Sequence, residues 1–320
     1  MWSAASNLSP WIERARGSAR SVAREWLLPS RTMERRPWPA AAGLAYVVAI
    51  DLLGGLRGDH VVIGLLGLLD LYNERTRALL GTFFPFVLTG VVFDSMRYYY
   101  WQGIDGRVHV AEPYLLERAW FGIGGLTPNE FFLLHHGVVL DLACGFAYLS
   151  YVGEYLALAL FLFLRGQVAK AKTFGRCFLV VNVMGFATYF VYPAAPPWYV
   201  TQYGLGPARM DVAPTAAAAH RFDLLLGTHF FDAMYGRGVD VYGALPSLHV
   251  AYPLMAAILA FRMPELRWAR WPAVAFFLLM CLSAVYLQHH YVIDALLGIA
   301  YAPAALALVS AWERRRARAG

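Results

Sequence analysis

The sequence predicts an all-α, polytopic integral membrane protein, and three observations carry that prediction. Of the 320 residues, 59% are hydrophobic and only 15% are charged, against roughly 45–50% and 25% in soluble domains. Mean hydropathy is +0.47. Several apolar runs approach the roughly 20 residues that a helix needs to cross a bilayer, where each backbone polar group must be satisfied within its own helix. The formal charge of +6 sits on arginines in loops and tails. It gives no argument for nucleic acid; the partner it fits is a membrane.

Taken in order, the chain opens on a basic stretch, 1–37. Arg14, Arg16, Arg20, Arg24, Arg31, Arg35 and Arg36 alternate there with Trp11 and Trp26. A cleavable leader would turn apolar after a short basic region. This one stays basic, so it reads as a cytoplasmic arm, either an interfacial helix on anionic lipid or a disordered basic tail. The membrane body is expected over 38–311, with spans near 38–56, 60–72, 78–98, 131–164, 173–193, 247–263, 272–289 and 291–311. The second is short. The fourth exceeds one crossing, and Gly145 and Gly153 are its expected breaks. Residues 312–320 form a basic tail.

Orientation follows from the cations. Arg165, Lys170, Lys172 and Arg176 share one loop, Arg262, Arg267 and Arg270 another, and Arg314, Arg315, Arg316 and Arg318 end the chain. Alternating spans put all of them, with the N-terminal arm, on one side, which the positive-inside rule makes cytoplasmic. The aromatic, Gly/Pro-rich loops 99–130 and 194–246 then face outward. The scarcity of lysine beside arginine suggests a GC-rich bacterial genome, hence an inner or plasma membrane. Cys144, Cys177 and Cys281 lie in apolar segments and suggest neither a disulfide framework nor a metal site.

Two short stretches carry ionisable groups at outward helix ends, where they are costly unless used. In "YGALPSLHVAYPL" (242–254), Pro246 suits a first helical turn, so Ser247 and Leu248 open a span and His249 lies one turn in. In "YLQHHYVIDALLG" (286–298), His290 and Asp294 are four apart and share a helix face. The carboxylate can then hold one imidazole nitrogen and leave the other free to attack. Both histidines reach the same side of the membrane. The pattern suits phosphoryl transfer through a phosphohistidine.

"PSLH" (246–249) and "HHYVID" (289–294) resemble the second and third signatures of the type-2 phosphatidic acid phosphatase superfamily. The resemblance implies a six-helix core with additional N-terminal helices. It makes His290 the nucleophile, Asp294 its partner and His249 the general acid, with no metal or other cofactor. His289, five residues from Asp294, is the alternative nucleophile. Two departures stand out: Ala284 follows Ser283 where the signature carries arginine, and the first signature, K-x6-R-P, is absent. Two phosphate-binding cations are therefore missing. Together with "YPAAPPWY" (192–199) and "GLGPARMD" (204–211), the motifs resemble the fungal inositol phosphorylceramide synthases and their bacterial relatives, over Ala187 to Ala302. That branch implies transfer of phosphoinositol from a phosphatidylinositol-like donor to a ceramide- or diacylglycerol-like acceptor on the extracytoplasmic face.

The remaining candidates are supporting residues. Arg209 is the first choice to replace a missing cation at the phosphate and Arg97, in "FDSMRYYYW", the second; either can instead pair with Asp211 or Asp94. Ser247 joins the phosphate set. Trp198 and Tyr199, in a rigid extended "APPWY", are expected at headgroup depth, as interfacial anchors and as shapers of the lipid entrance. His135 and His136, with Glu130 and Asp141, ride a half-helix opened by Thr127–Pro128 and could bind a polyol headgroup or serve an interior structural role. Two rival functions remain from sequence: a lipid phosphate phosphatase using the same site with water, and a transporter coupled to protons or metal ions.

Overall fold

The computed structural model describes residues 33–319, so most of the expected N-terminal arm, including Arg14, Arg16, Arg20, Arg24 and Arg31, lies outside the described residues. The described chain is helical, without a β-strand; only isolated bridges occur among its loops. The helices are α1 (Trp38–Leu52), α2 (Gly58–Leu66), α3 (Leu69–Tyr72), α4 (Glu74–Ser95), α5 (Tyr100–Ile104), α6 (Ala111–Phe121), α7 (Pro128–Leu134) and α8 (Val138–Leu164). They continue as α9 (Val168–Val191), α10 (Pro197–Tyr203), α11 (His220–Leu226), α12 (Phe230–Tyr235), α13 (Leu248–Arg262), α14 (Arg270–Tyr286) and α15 (Val292–Ala319). Among the described residues, five helical stretches are long and apolar enough to cross a membrane: Glu74–Tyr98, Val138–Leu164, Val168–Val191, Pro264–Tyr286 and Val292–Ala319. Trp38–Leu52 and Leu248–Arg262 are shorter apolar helices.

Two of the expected spans are corrected. The stretch 60–72 is no crossing: it splits into α2 and α3, each well short of the roughly 20 residues required. The long run 131–164 does break, at His135–Gly137 rather than at Gly145 or Gly153, and α8 continues for 27 residues. One glycine inside a helix costs only about 1 kcal/mol. Gly145 serves close packing: a Cβ there would lie 2.3 Å from the Phe222 ring, so its bare backbone lets α11 seat against α8. Asp51 ends α1 exposed, and Glu154 is half-buried in α8. The arginine-rich tail continues α15 as helix to Ala319.

The chain divides into two compact units, one ending at Val87 and one beginning at Leu88. In the first, α1, α2 and α3 pack together. The second holds a bundle in which α13 is surrounded by α8, α9, α14 and α15. Small residues make that possible. Ala251, Ala256, Ala257 and Ala260 are all buried, so four neighbours can approach one short helix. Its N-terminal end carries His249.

Candidate active site

His249 occupies the first turn of α13. The Leu245–Pro246 peptide is cis and Ser247 is the extended N-cap residue, so Pro246 precedes the helix instead of opening it. The Ser247 N–H donates to Asp294 O at 2.9 Å, tying the start of α13 to α15. A Cβ at Gly298 would come within 2.2 Å of Ser247 O. Only glycine allows that approach. Ser247 Oγ is buried with no hydrogen-bond partner.

His290 arrives from the loop between α14 and α15. His249 Nδ1 lies 2.9 Å from His290 Nε2. His290 Nδ1 lies 2.8 Å from Ala244 O, and a carbonyl can only accept, so Nδ1 carries the proton and Nε2 presents its lone pair. Nδ1 of His249 must then donate into that lone pair. Asp294 Oδ2 stands 3.6 Å from His290 Nδ1, too far for a hydrogen bond. That oxygen instead accepts a hydrogen bond from the Tyr291 N–H at 2.8 Å. Ala244, which no sequence signal marked, thus fixes the tautomer, with Asp294 supplying negative charge behind it. His290 and Asp294 are almost wholly buried, and His249 is half-buried against Tyr148 and Tyr151, with ring centroids 4.3 and 4.5 Å away.

The loop 287–291 is clamped by groups distant in sequence. Asn129, at the start of α7, donates through Nδ2 to Val285 O at 2.8 Å and to His290 O at 3.0 Å. Gln288, at φ +70°, donates back to Asn129 O and accepts from Trp198 N–H. Glu117 of α6, fully buried, accepts from the first two N–H groups of α15, Val292 at 2.8 Å and Ile293 at 3.2 Å. Burial pushes its carboxyl up to about 7 against the pull of those two donors. Ala244 is pinned in turn: Ala194 bridges to both His109 and Gly243, and Ala194 N–H donates to Tyr242 O at 2.8 Å. Asp240 lies over Gly243, its Oδ2 2.1 Å from where a Cβ would stand, and burial raises it to about 6.

The other predicted residues sit as follows. His289 is sandwiched between Tyr235 and Tyr148, ring centroids 4.5 and 5.1 Å away, with Nε2 3.2 Å from Ala216 O. Burial, then the neighbouring His290, lowers it to about 3, so it stays neutral. Arg209 grips Asp211 through two nitrogens, at 3.2 and 2.9 Å, over the Tyr203 ring. Arg97 pairs with Asp94. Both arginines are held in these pairs rather than on the histidines. "APPWY" is not an extended turn: Pro196 is extended, but Pro197 starts α10, and Trp198 and Tyr199 are buried in protein, with Tyr199 OH accepting from Arg209 N–H. Exposed His135 stacks on Phe131, and His136 Nδ1 is 3.7 Å from Asp141. Asp141 is engaged by Arg221 at 2.6 Å and Tyr286 OH at 2.8 Å. Ala284, in place of the signature's arginine, packs against Val250 and Ala295, and its carbonyl accepts from His290 N–H.

A histidine with its lone pair fixed, a proton-bearing second histidine beside it and a buried carboxylate behind can exchange a phosphoryl group between oxygens. Among the described residues no group of three or more His, Cys, Asp or Glu side chains has the geometry to hold a metal ion.

Residues 115–308 match the family described as the PAP2 superfamily. The chain is similar to the phosphoinositol dihydroceramide synthase of Bacteroides thetaiotaomicron, 36% identical over 260 residues, 78% of this chain and 82% of that protein. It is also similar to the inositol phosphorylceramide synthase of Candida albicans, 32% identical over 142 residues, 44% of this chain and 30% of that protein. The catalytic subunit aur1 of inositol phosphorylceramide synthase from Schizosaccharomyces pombe is 33% identical over 133 residues, 41% of this chain and 30% of that protein. No solved structure gives a significant match.

Proposed function

This chain belongs to the PAP2 superfamily, in its inositol phosphorylceramide synthase-like branch, and from that premise we propose that it transfers a phosphoinositol headgroup from a phosphatidylinositol-like donor to a lipid alcohol such as ceramide or diacylglycerol. The observation that carries the reading is the His249–His290 pair, 2.9 Å apart, with Ala244 O holding the proton of His290 Nδ1. In the first half-reaction the Nε2 lone pair of His290 attacks phosphorus, an N–P bond forms and the P–O bond to diacylglycerol breaks. The departing oxygen takes a proton from His249, which enters the step as imidazolium and leaves it as neutral imidazole. In the second, the acceptor hydroxyl gives its proton to His249 and attacks phosphorus, and the N–P bond breaks. Asp294 and Ala244 O stabilise the positive charge that His290 acquires on attack.

Attacking and leaving atoms lie roughly in line across phosphorus, and reacting atoms stand about 3–3.5 Å apart before reaction. A gap of 2.9 Å between the two nitrogens leaves no room for that. Substrate therefore parts the histidines, freeing the lone pair that His249 occupies, with the phosphoryl oxygens meeting Ser247 Oγ. The site works on the extracytoplasmic face of a bacterial plasma membrane, with residues 1–37 and 312–320 cytoplasmic and 38–311 as the membrane body. Incubation with defined donors and acceptors, followed by mass spectrometry of the lipids, tests the reading. A phosphoinositol-bearing acceptor is expected; inorganic phosphate as the only product would make the protein a hydrolase, and flux across vesicles without either would make it a transporter.

A further inference from the structure

Behind the loop that carries His290 lies a cavity of about 260 Å³ whose walls include Tyr114, Thr127, Asn129, Glu130, Thr201 and Tyr291. A single water needs only about 10–15 Å³ of such space. The lining holds no lysine, arginine or histidine, and Glu130 brings a carboxylate. A phosphate is thereby disfavoured.

The hydrogen-bond inventory says what is favoured. Asn129 spends both amide hydrogens on Val285 O and His290 O, which fixes its orientation and leaves Oδ1 buried with no partner. Tyr291, 1% exposed, has a buried hydroxyl with no partner. Tyr114 OH donates to Glu130 Oε1 and has Arg118 as a second neighbour, while Thr201 Oγ1 donates to Pro197 O and keeps its lone pairs to offer. Two orphaned polar groups in a buried wall cost about 1–3 kcal/mol each unless something answers them. The wall offers mainly acceptors, spread around a volume, with one donor at Tyr291. A ring bearing several hydroxyls fits that distribution. An ammonium group concentrates its donors at one point.

We propose that this cavity binds a neutral polyhydroxylated ring, the cyclitol headgroup of the donor lipid, through Asn129, Glu130 and Tyr291. The proposal rests on the phosphotransferase reading for its choice of donor. Asn129 links the two functions, since the amide that would meet the ring also holds the His290 carbonyl. Headgroup recognition is then felt at the reacting histidine.

The test uses the full chain in detergent, with free myo-inositol and phosphatidylinositol as probes. Thr201 is exposed, so T201W closes the cavity from its rim with little effect on folding. Y291F removes a hydroxyl without a protein partner and leaves the fold stable. Saturable binding of myo-inositol is expected in the wild type and in H290A, lost in T201W and weakened roughly three- to tenfold in Y291F. KM for phosphatidylinositol rises alongside in T201W and Y291F. Absence of saturable myo-inositol binding, or competition by ethanolamine alone, would overturn the proposal even if headgroup transfer is intact. Loss of myo-inositol binding with an unchanged KM would overturn its assignment to the donor headgroup. Inositol bound in a protein that transfers nothing would instead remove the phosphotransferase reading and leave the cavity assigned.

Discussion

His290 Nε2 accepts a hydrogen bond from His249 Nδ1 across 2.9 Å, while His290 Nδ1 donates to Ala244 O across 2.8 Å. The nucleophile's only lone pair is therefore capped by the residue proposed as its acid. Binding of an inert phosphate mimic such as vanadate is expected to separate the two nitrogens well beyond 2.9 Å, measurable in a structure of that complex. Histidines still in contact with the mimic bound would exclude in-line transfer between them.

The two histidines differ in what their loss does. H290A is expected to abolish turnover while the protein still folds, because the side chain sits at a helix junction. H249A also loses turnover, yet a donor with an activated leaving group needs no acid and still labels His290. Normal turnover in either variant removes the pair from the chemistry.

Glu117 gives a pH signature in stability. Its folded-state value, about 7, lies above the ordinary 4.5, so between these pH values the folded chain binds more protons than the unfolded one. The stability from that proton is complete below 4.5 and lost as pH rises through 7, an interval worth roughly 3 kcal/mol. E117Q does not titrate, so its thermal stability, followed from pH 4.5 to 8, lacks this decline. Parallel curves for the two proteins would mean that the carboxyl has an ordinary value. Because Glu117 holds the first N–H groups of α15, E117Q also lowers kcat more than it raises KM.

Gly298 decides whether α15 can reach α13. G298A places a methyl against Ser247 O, and overpacking of this kind costs about 1–3 kcal/mol. Displacing His290 and Asp294 from His249 by even 1 Å costs turnover on the order of 100-fold. Wild-type activity in G298A would show that the Ser247–Asp294 contact does not set the site.

Arg209 is held by Asp211 in an exposed pair, worth about 0–1 kcal/mol, so a lipid phosphate can displace the carboxylate. R209A is expected to raise KM for the donor about tenfold or more, and D211A to lower it. An unchanged KM in R209A leaves the guanidinium with Asp211 and takes it out of phosphate binding.

Much of the helical order was legible, because an apolar run without charges has one solution in a bilayer. The histidine pair was legible too, since "PSLH" and "HHYVID" mark two helix starts that carry ionisable groups. The clamps were not. Glu117 precedes the N–H groups it receives by 175 and 176 residues, and Asn129 precedes the carbonyls it holds by 156 and 161. No local pattern encodes such distances, although the helix start expected at Thr127–Pro128 does lie beside Asn129. Ala244 acts through its backbone, which composition cannot reveal. The break at Gly145 failed because a mid-helix glycine reads equally as a weak point or as a seat for a neighbour, and only the Phe222 ring decides.

Rapid quenching of the protein with a headgroup-labelled donor, followed by mass spectrometry of the peptide spanning residues 284–298, asks most directly whether the phosphorus passes through the histidine. A phosphoinositol adduct on His290 that forms and decays at the rate of turnover, and is missing in H290A, is the expected result. Turnover with no adduct at His290, or with the label on His289, would contradict it.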